Sequence, residues 1–408
     1  MRGRSSVHGD RYGTSGRRRR LRHAVLASIT VALAACTVPT TPPPNPPPST
    51  LGTNPDMAPQ ADVAAYAGPG PYAAGVTTVD IEPGRKAEIW YPAPADSTSG
   101  KSPDVYHMRD FISPFLQQLL KPDVDPTFTT AAFRGLPVAD GGPFPLVLFS
   151  HGFAGYRLQS SVLTAHLATW GFVVISPDYF ERGLQSLLGT PPAAQHTDDY
   201  VAQLAVDAAI AQNTGADDLH GKIDTSRLFP VGHSAGGSET TRLAARTDVQ
   251  SWIALSSGYS TSSALPAAMA DPNKAAMWIV GADDGVAQPN GVRTAYDYTA
   301  GPAKLVVIPK SGHLNAMSDI CEIARDQGGI VGLAISAGLP IPDFLAALGR
   351  DGCLSPPNAL SQDVWPVTNH FVTAELRYRA GLDPQPVGLG AGVVNQFGSI
   401  VPEYQHTP

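Results

Sequence analysis

Leu228–Thr241 reads LFPVGHSAGGSETT and holds one G-x-S-x-G pattern: Gly232, His233, Ser234, Ala235 and Gly236. Alone it decides nothing, since roughly 0.3 such matches arise by chance in a glycine-rich chain of this length. What matters is the context. A serine nucleophile of this type sits in a sharp turn between a strand and a helix, and the two glycines make room for that turn. RLFPV (Arg227–Val231) before it has a strand's composition, and Ala235–Thr247 after it suits a helix. Pro230 is the discordant residue, because a proline removes a hydrogen-bond donor from a central strand.

Outward from this stretch, β-rich runs alternate with helical patterns, which predicts an α/β fold with a mostly parallel eight-stranded sheet flanked by helices. The predicted strands are Gly75–Glu82, Lys86–Pro92, Phe144–Ser150, Gly171–Pro177, Arg227–Val231, Ser251–Ser257, Ala275–Gly281 and Lys304–Lys310. Helices are expected around Ser161–Trp170, Val201–Asn213, Ala235–Thr247 and Gly291–Thr299, with a final one in VWPVTNHFVTAELRYRAGL, which begins at Val364. Ser234 follows the fifth strand.

A serine hydroxyl needs a base, and the base needs a carboxylate to orient it. In a sheet of this kind the acid and then the base follow the serine, on loops at the carboxyl ends of later strands. Asp283 and Asp284 stand in GADDG after the seventh strand, and His313 stands in GHL after the eighth. Asp284 has the better spacing from Gly281, and Asp283 remains the alternative. An oxyanion hole is expected from the backbone N–H groups of Ala235 and of Phe153, which lies in SHGFAGYR after the third strand.

The phrases PGPYAAGVTTVDI, IWYPA, FPLVLFSHGFAGYR, VGHSAGG, GADDG and GHL together resemble an α/β-hydrolase serine esterase. Within that superfamily they are most similar to secreted bacterial lipases and cutinase-like polyester hydrolases, and to platelet-activating-factor acetylhydrolase-like proteins. The resemblance implies hydrolysis of a carboxylic ester through an acyl-enzyme, without a cofactor. The substrate does not carry over. Two other functions remain open: an envelope acyltransferase with the same triad, and a catalytically silent ligand-binding lipoprotein.

The N-terminus carries its own signal. Eight arginines within the first 22 residues precede the apolar run Ala24–Ala35, which is shorter than the roughly 20 residues a bilayer requires. Residues 1–35 therefore read as a signal peptide. LAAC, ending at Cys36, resembles a lipobox, which would make Cys36 the lipidated mature N-terminus. Residues 36–67 include TVPTTPPPNPPPST, a stiff proline-rich tether. The catalytic domain is assigned to 68–380 and a C-terminal tail to 381–408. These features place the protein outside the cytoplasm, as an envelope lipoprotein or a secreted protein.

Without residues 1–35 the chain keeps 20 basic and 34 acidic residues, a formal charge of −14. Such a surface disfavours nucleic acid as a partner. The histidines form no H-x-x-x-H pair, so no metal site is predicted. Cys321 and Cys353 remain as a candidate disulfide in an oxidising compartment.

The insertion between the second and third strands, Ala93–Pro143, contains the amphipathic run FISPFLQQLL, read as a surface helix with a cap over the site as the alternative. With no lid sequence in the loops after strands five to seven, the site is expected to be open and to favour short to medium acyl esters, or bulky polyester or phospholipid sn-2 esters. Phe153, Tyr156 and Trp365 are the aromatic candidates for its wall.

Overall fold

The computed structural model describes residues 60–121, 123–188, 194–339 and 341–407, so the apolar run, Cys36 and the proline tether lie outside the described residues. The strands are β1 (Ala73–Glu82), β2 (Arg85–Ala93), β3 (Val105–His107), β4 (Thr127–Thr129), β5 (Ala132–Arg134), β6 (Phe144–Ser150), β7 (Val173–Pro177), β8 (Ile223–His233), β9 (Ser251–Leu255), β10 (Ala275–Gly281), β11 (Ala303–Ile308) and β12 (Glu403–His406). Ten of them form one sheet in the order β12-β11-β10-β9-β8-β6-β7-β2-β1-β5, while β3 and β4 pair separately. Strands β6 to β11 run parallel; β1–β2, β2–β7 and β11–β12 are antiparallel.

All eight expected strands are present. The sheet gains β5 and β12 at its two edges. β12 lies within residues 381–408, so the segment set apart as a tail completes the sheet. Ordered packing also starts before Gly68: Ala61 and Tyr66 are buried, and Asp62 accepts from the Gly392 N–H at 2.7 Å.

The central strands are apolar on both faces because helices cover both. Alternation along β6 shows the division. Val147 and Phe149 pack with Leu163 and Leu167 of helix Ser161–Thr169 and Phe371 of helix Ser361–Arg379. Leu146 and Leu148 face the opposite layer, with Ala202, Ala205 and Ala209 of helix Asp198–Thr214. This period of two feeding two cores follows from strand geometry. Pro230 fits this scheme: it pairs in register with Leu148, and the ladder from β8 to β9 starts one residue later, at Val231.

Candidate active site

Ser234 links the end of β8 to helix Ala235–Leu243 with φ 57° and ψ −120°, a conformation that side-chain-bearing residues rarely adopt. The close approaches around it explain the neighbouring glycines. A Cβ on Gly232 would lie 2.3 Å from the Gly236 carbonyl oxygen, and one on Gly236 would lie 2.0 Å from the Ser150 carbonyl oxygen. No side chain fits at either position. Ser234 itself is half-buried at the carboxyl end of the parallel strands.

The loop after β10 carries Asp284 and the loop after β11 carries His313, and both residues are buried. His313 Nδ1 lies 3.0 Å from Asp284 Oδ2 and 3.1 Å from Oδ1. Asp284 Oδ1 also accepts from the N–H groups of Val286 at 2.9 Å and Ala287 at 2.7 Å, which hold the carboxylate in place. The adjacent Asp283 is exposed, so of the two aspartates only Asp284 meets the imidazole. With Nδ1–H donating to Asp284, Nε2 of His313 is left as an acceptor.

His233 connects this pair to the serine. It immediately precedes Ser234, and its Nε2 donates to the His313 carbonyl oxygen at 3.0 Å, while its Nδ1 accepts from Gln159 Nε2 at 2.8 Å. The two histidine rings lie 4.7 Å apart. Burial, and then the charge of His313, push the His233 imidazole down to about 3, so it stays neutral and keeps this tautomer. His233 carries no signal of its own in the sequence, because it occupies a variable position of the motif.

The loop after β6 lies against the serine: a Cβ on Gly152 would come within 3.0 Å of Ser234 Cβ. His151 anchors this loop. Its Nε2 accepts from the Tyr179 N–H at 3.0 Å, and its Nδ1 donates to the Gly152 carbonyl oxygen at 2.9 Å. Burial lowers its pKa to about 3, which keeps it neutral. Buried Arg182 donates to the His151 carbonyl oxygen at 2.8 Å and to Glu239 at 3.0 Å, which ties the loop to the helix that Ser234 begins. Among the described residues, the N–H groups of Phe153 and Ala235 donate to no protein acceptor. Ala235 follows the serine directly, and Phe153 follows Gly152, which lies against it.

Beside His313 opens an apolar chamber of about 130 Å³. Phe153 and Tyr156 line it; Trp365 does not, and its indole N–H reaches the Ser318 carbonyl oxygen at 3.4 Å. Two segments supply most of its wall. Met108, Ile112, Leu120 and Val124 come from the Ala93–Pro143 insertion. Ile330, Leu333 and Ala334 come from helix Gly329–Ser336, and Leu345 and Leu348 from helix Asp343–Leu348. The insertion therefore contributes to the site as well as to the surface. The helix of the insertion, Pro114–Leu119, does lie at the surface, with Phe115 57 % exposed, but the residues flanking it wall the chamber. Arg109 also lines the chamber, and its guanidinium donates to the Gln117, Lys121 and Val124 carbonyl oxygens. It shapes the insertion instead of offering a free charge.

Cys321 and Cys353 form a disulfide across the segment that builds this second wall.

Residues 76–184 match the family described as platelet-activating factor acetylhydrolase, isoform II. This stretch runs from β1 through the Gly152–Phe153 loop and ends before Ser234. A 115-residue segment is 33% identical to the bis(hydroxyethyl) terephthalate hydrolase of Streptomyces coelicolor, covering 28% of this chain and 33% of that protein. The chain thus aligns with about a third of that relative's length. The structure is similar to that of a ferulic acid esterase from Streptomyces cinnamoneus, with a TM-score of 0.51 and 20% identity over 77% of this chain and 92% of that one. The strand order, the serine turn and this structural likeness agree: the chain has the α/β-hydrolase fold.

Proposed function

We propose that the protein is a serine carboxylic-ester hydrolase that works through an acyl-enzyme. The observation that carries this reading is the buried Asp284–His313 pair, joined through His233 to the strained Ser234. His313 Nε2 takes the Ser234 hydroxyl proton as Oγ bonds to the ester carbonyl carbon. Phe153 and Ala235 N–H groups stabilise the resulting oxyanion, and Asp284 stabilises the imidazolium. When the ester C–O bond breaks, the proton passes to the leaving alcohol. Water, deprotonated by His313, then releases the acid and restores the serine. The three likenesses to proteins named as hydrolases or esterases support the same reading.

The chamber points to an apolar acyl group. An apolar cavity near 150 Å³ holds a benzene-sized guest, so about 130 Å³ corresponds to roughly six carbons. We further propose export and lipid attachment at Cys36, supported by LAAC at the end of the apolar run and by a disulfide suited to an oxidising compartment.

The test is a panel of p-nitrophenyl esters from C2 to C16 assayed with the mature chain, Ser234→Ala and His313→Ala. Both variants are expected to lose on the order of 10⁴-fold in kcat while remaining folded. Wild-type turnover in Ser234→Ala would remove the proposal. Mass spectrometry of the mature N-terminus tests the anchor, and a start other than Cys36 refutes it.

A further inference from the structure

The loops bearing Asp284 and His313 leave β10 and β11 side by side, with the Asp283 N–H donating to the Ser311 carbonyl oxygen at 2.8 Å, and a third segment ties them together nearer the two side chains. Asp351 Oδ1 accepts from the His313 N–H at 2.7 Å, and Asp351 Oδ2 accepts from the Gly285 N–H at 3.0 Å. The Asp351 carbonyl oxygen also accepts from the Leu314 N–H at 3.1 Å. One carboxylate therefore spans the residue after Asp284 and the backbone of His313 itself. We propose that Asp351 is a positioning residue that fixes the separation of the Asp284 carboxylate and the His313 imidazole. This inference rests on the serine-hydrolase reading above.

Three features support this role. Both bonds require acceptors, which a carboxylate supplies on each oxygen; an amide would present N–H₂ to one of the two N–H groups. The approach is also kept clear on both sides. A Cβ on Gly285 would sit 2.8 Å from Asp351 Oδ2, and one on Gly312 would sit 2.3 Å from Oδ1. Finally, Asp351 is anchored independently of the sheet, because Cys353, two residues on, is bonded to Cys321. A misplacement of about 1 Å in a reacting group can cost about 100-fold in rate. A carboxylate that bridges the two loops restrains that displacement.

The experiment uses the full mature chain with Asp351→Asn, Asp351→Ala, Gly285→Ala, the double variant Asp351→Ala/Gly285→Ala, and Ser234→Ala. Each is measured for kcat and KM on p-nitrophenyl butyrate and for thermal unfolding. Both Asp351 variants are expected to lower kcat about 10- to 100-fold with KM within about twofold. Gly285→Ala pushes on Oδ2 alone and should lower kcat less. In the Asp351→Ala background it should have no further effect, since the two changes act on one contact.

A folded Asp351→Ala or Asp351→Asn that keeps kcat within about twofold, or loses only in KM, overturns the proposal. Additive losses in the double variant overturn it too. If the Asp351 variants do not fold, Gly285→Ala decides: unchanged kcat refutes the role and a lowered kcat supports it. Ser234→Ala separates the two levels of inference. Activity in that variant would sink the hydrolase mechanism itself. An inactive Ser234→Ala beside a fully active Asp351→Asn would sink only the positioning role.

Discussion

Replacing Ser234 by glycine should make the protein more stable than replacing it by alanine. Both changes remove the hydroxyl, so their difference isolates the Cβ at φ 57°, ψ −120°. A side-chain-bearing residue in such a region costs about 1–3 kcal/mol. Glycine escapes that cost but loses more backbone freedom on folding, about 0.5–1 kcal/mol. The net advantage of Ser234→Gly over Ser234→Ala is then roughly 0.5–2 kcal/mol in favour of glycine. In a domain of this size each kcal/mol moves Tm by about 2 °C, so a gap of about 1–4 °C is expected by calorimetry, with a matching shift in urea midpoint. Ser238, exposed on the helix that Ser234 begins, provides the contrast. There glycine should be less stable than alanine by about 1 kcal/mol. If Ser234→Gly proves no more stable than Ser234→Ala while the Ser238 pair behaves as expected, the turn stores no strain and the argument for a pre-set nucleophile fails.

Stability should fall on acidification below pH 6.5. Burial lowers His151 and His233 to about 3 and His166 and His370 to about 4, so the proton excess of the unfolded chain grows as pH falls through 6.5 and approaches four near pH 5. Burial raises Glu239 and Asp319 to about 7, which favours the folded state as pH falls and cancels two of those four. From about pH 6 to 5 the loss is then roughly 3 kcal/mol per pH unit, measurable as urea midpoints; a flat profile would contradict it. Ala334→Phe, which fills the chamber from helix Gly329–Ser336 with a benzene-sized ring, should move the ester optimum to shorter acyl chains by up to about six carbons. An unchanged chain-length profile would place the acyl group elsewhere. Reducing the Cys321–Cys353 bridge, with a sequence separation of 32, should cost roughly 3–4 kcal/mol, and equal melting with and without reductant would refute that.

Much of this architecture was legible because its carriers are dense in sequence. The eight inner strands announce themselves as apolar runs, and the serine turn needs glycine at positions where a Cβ has no space. The edges were not legible. β12 is EYQH, four mostly polar residues whose pairing depends on β11, and β5 is only three residues long. Spacing from Gly281 favoured Asp284 over Asp283 but left the alternative open, since neighbouring residues of the same type differ in which way the loop turns them. Asp351 belongs to no motif, 38 residues from His313, and only the folded loops bring it to their backbones. The second chamber wall was visible as the apolar stretch GGIVGLAISAGLPIPDFLAALG, but composition did not say what it covers.

The placement of β12 bears on how the protein can be handled and altered. It runs antiparallel along β11 from Lys304–His406 to Val307–Glu403, and Arg293 forms an ion pair with Glu403. Without those four residues, β11 would present a bare row of amide and carbonyl groups to any passing strand. Glu403–His406 therefore act as a built-in guard against sticking edge to edge. Trimming them during domain design would leave Ser234, Asp284 and His313 untouched and yet produce a protein prone to aggregate.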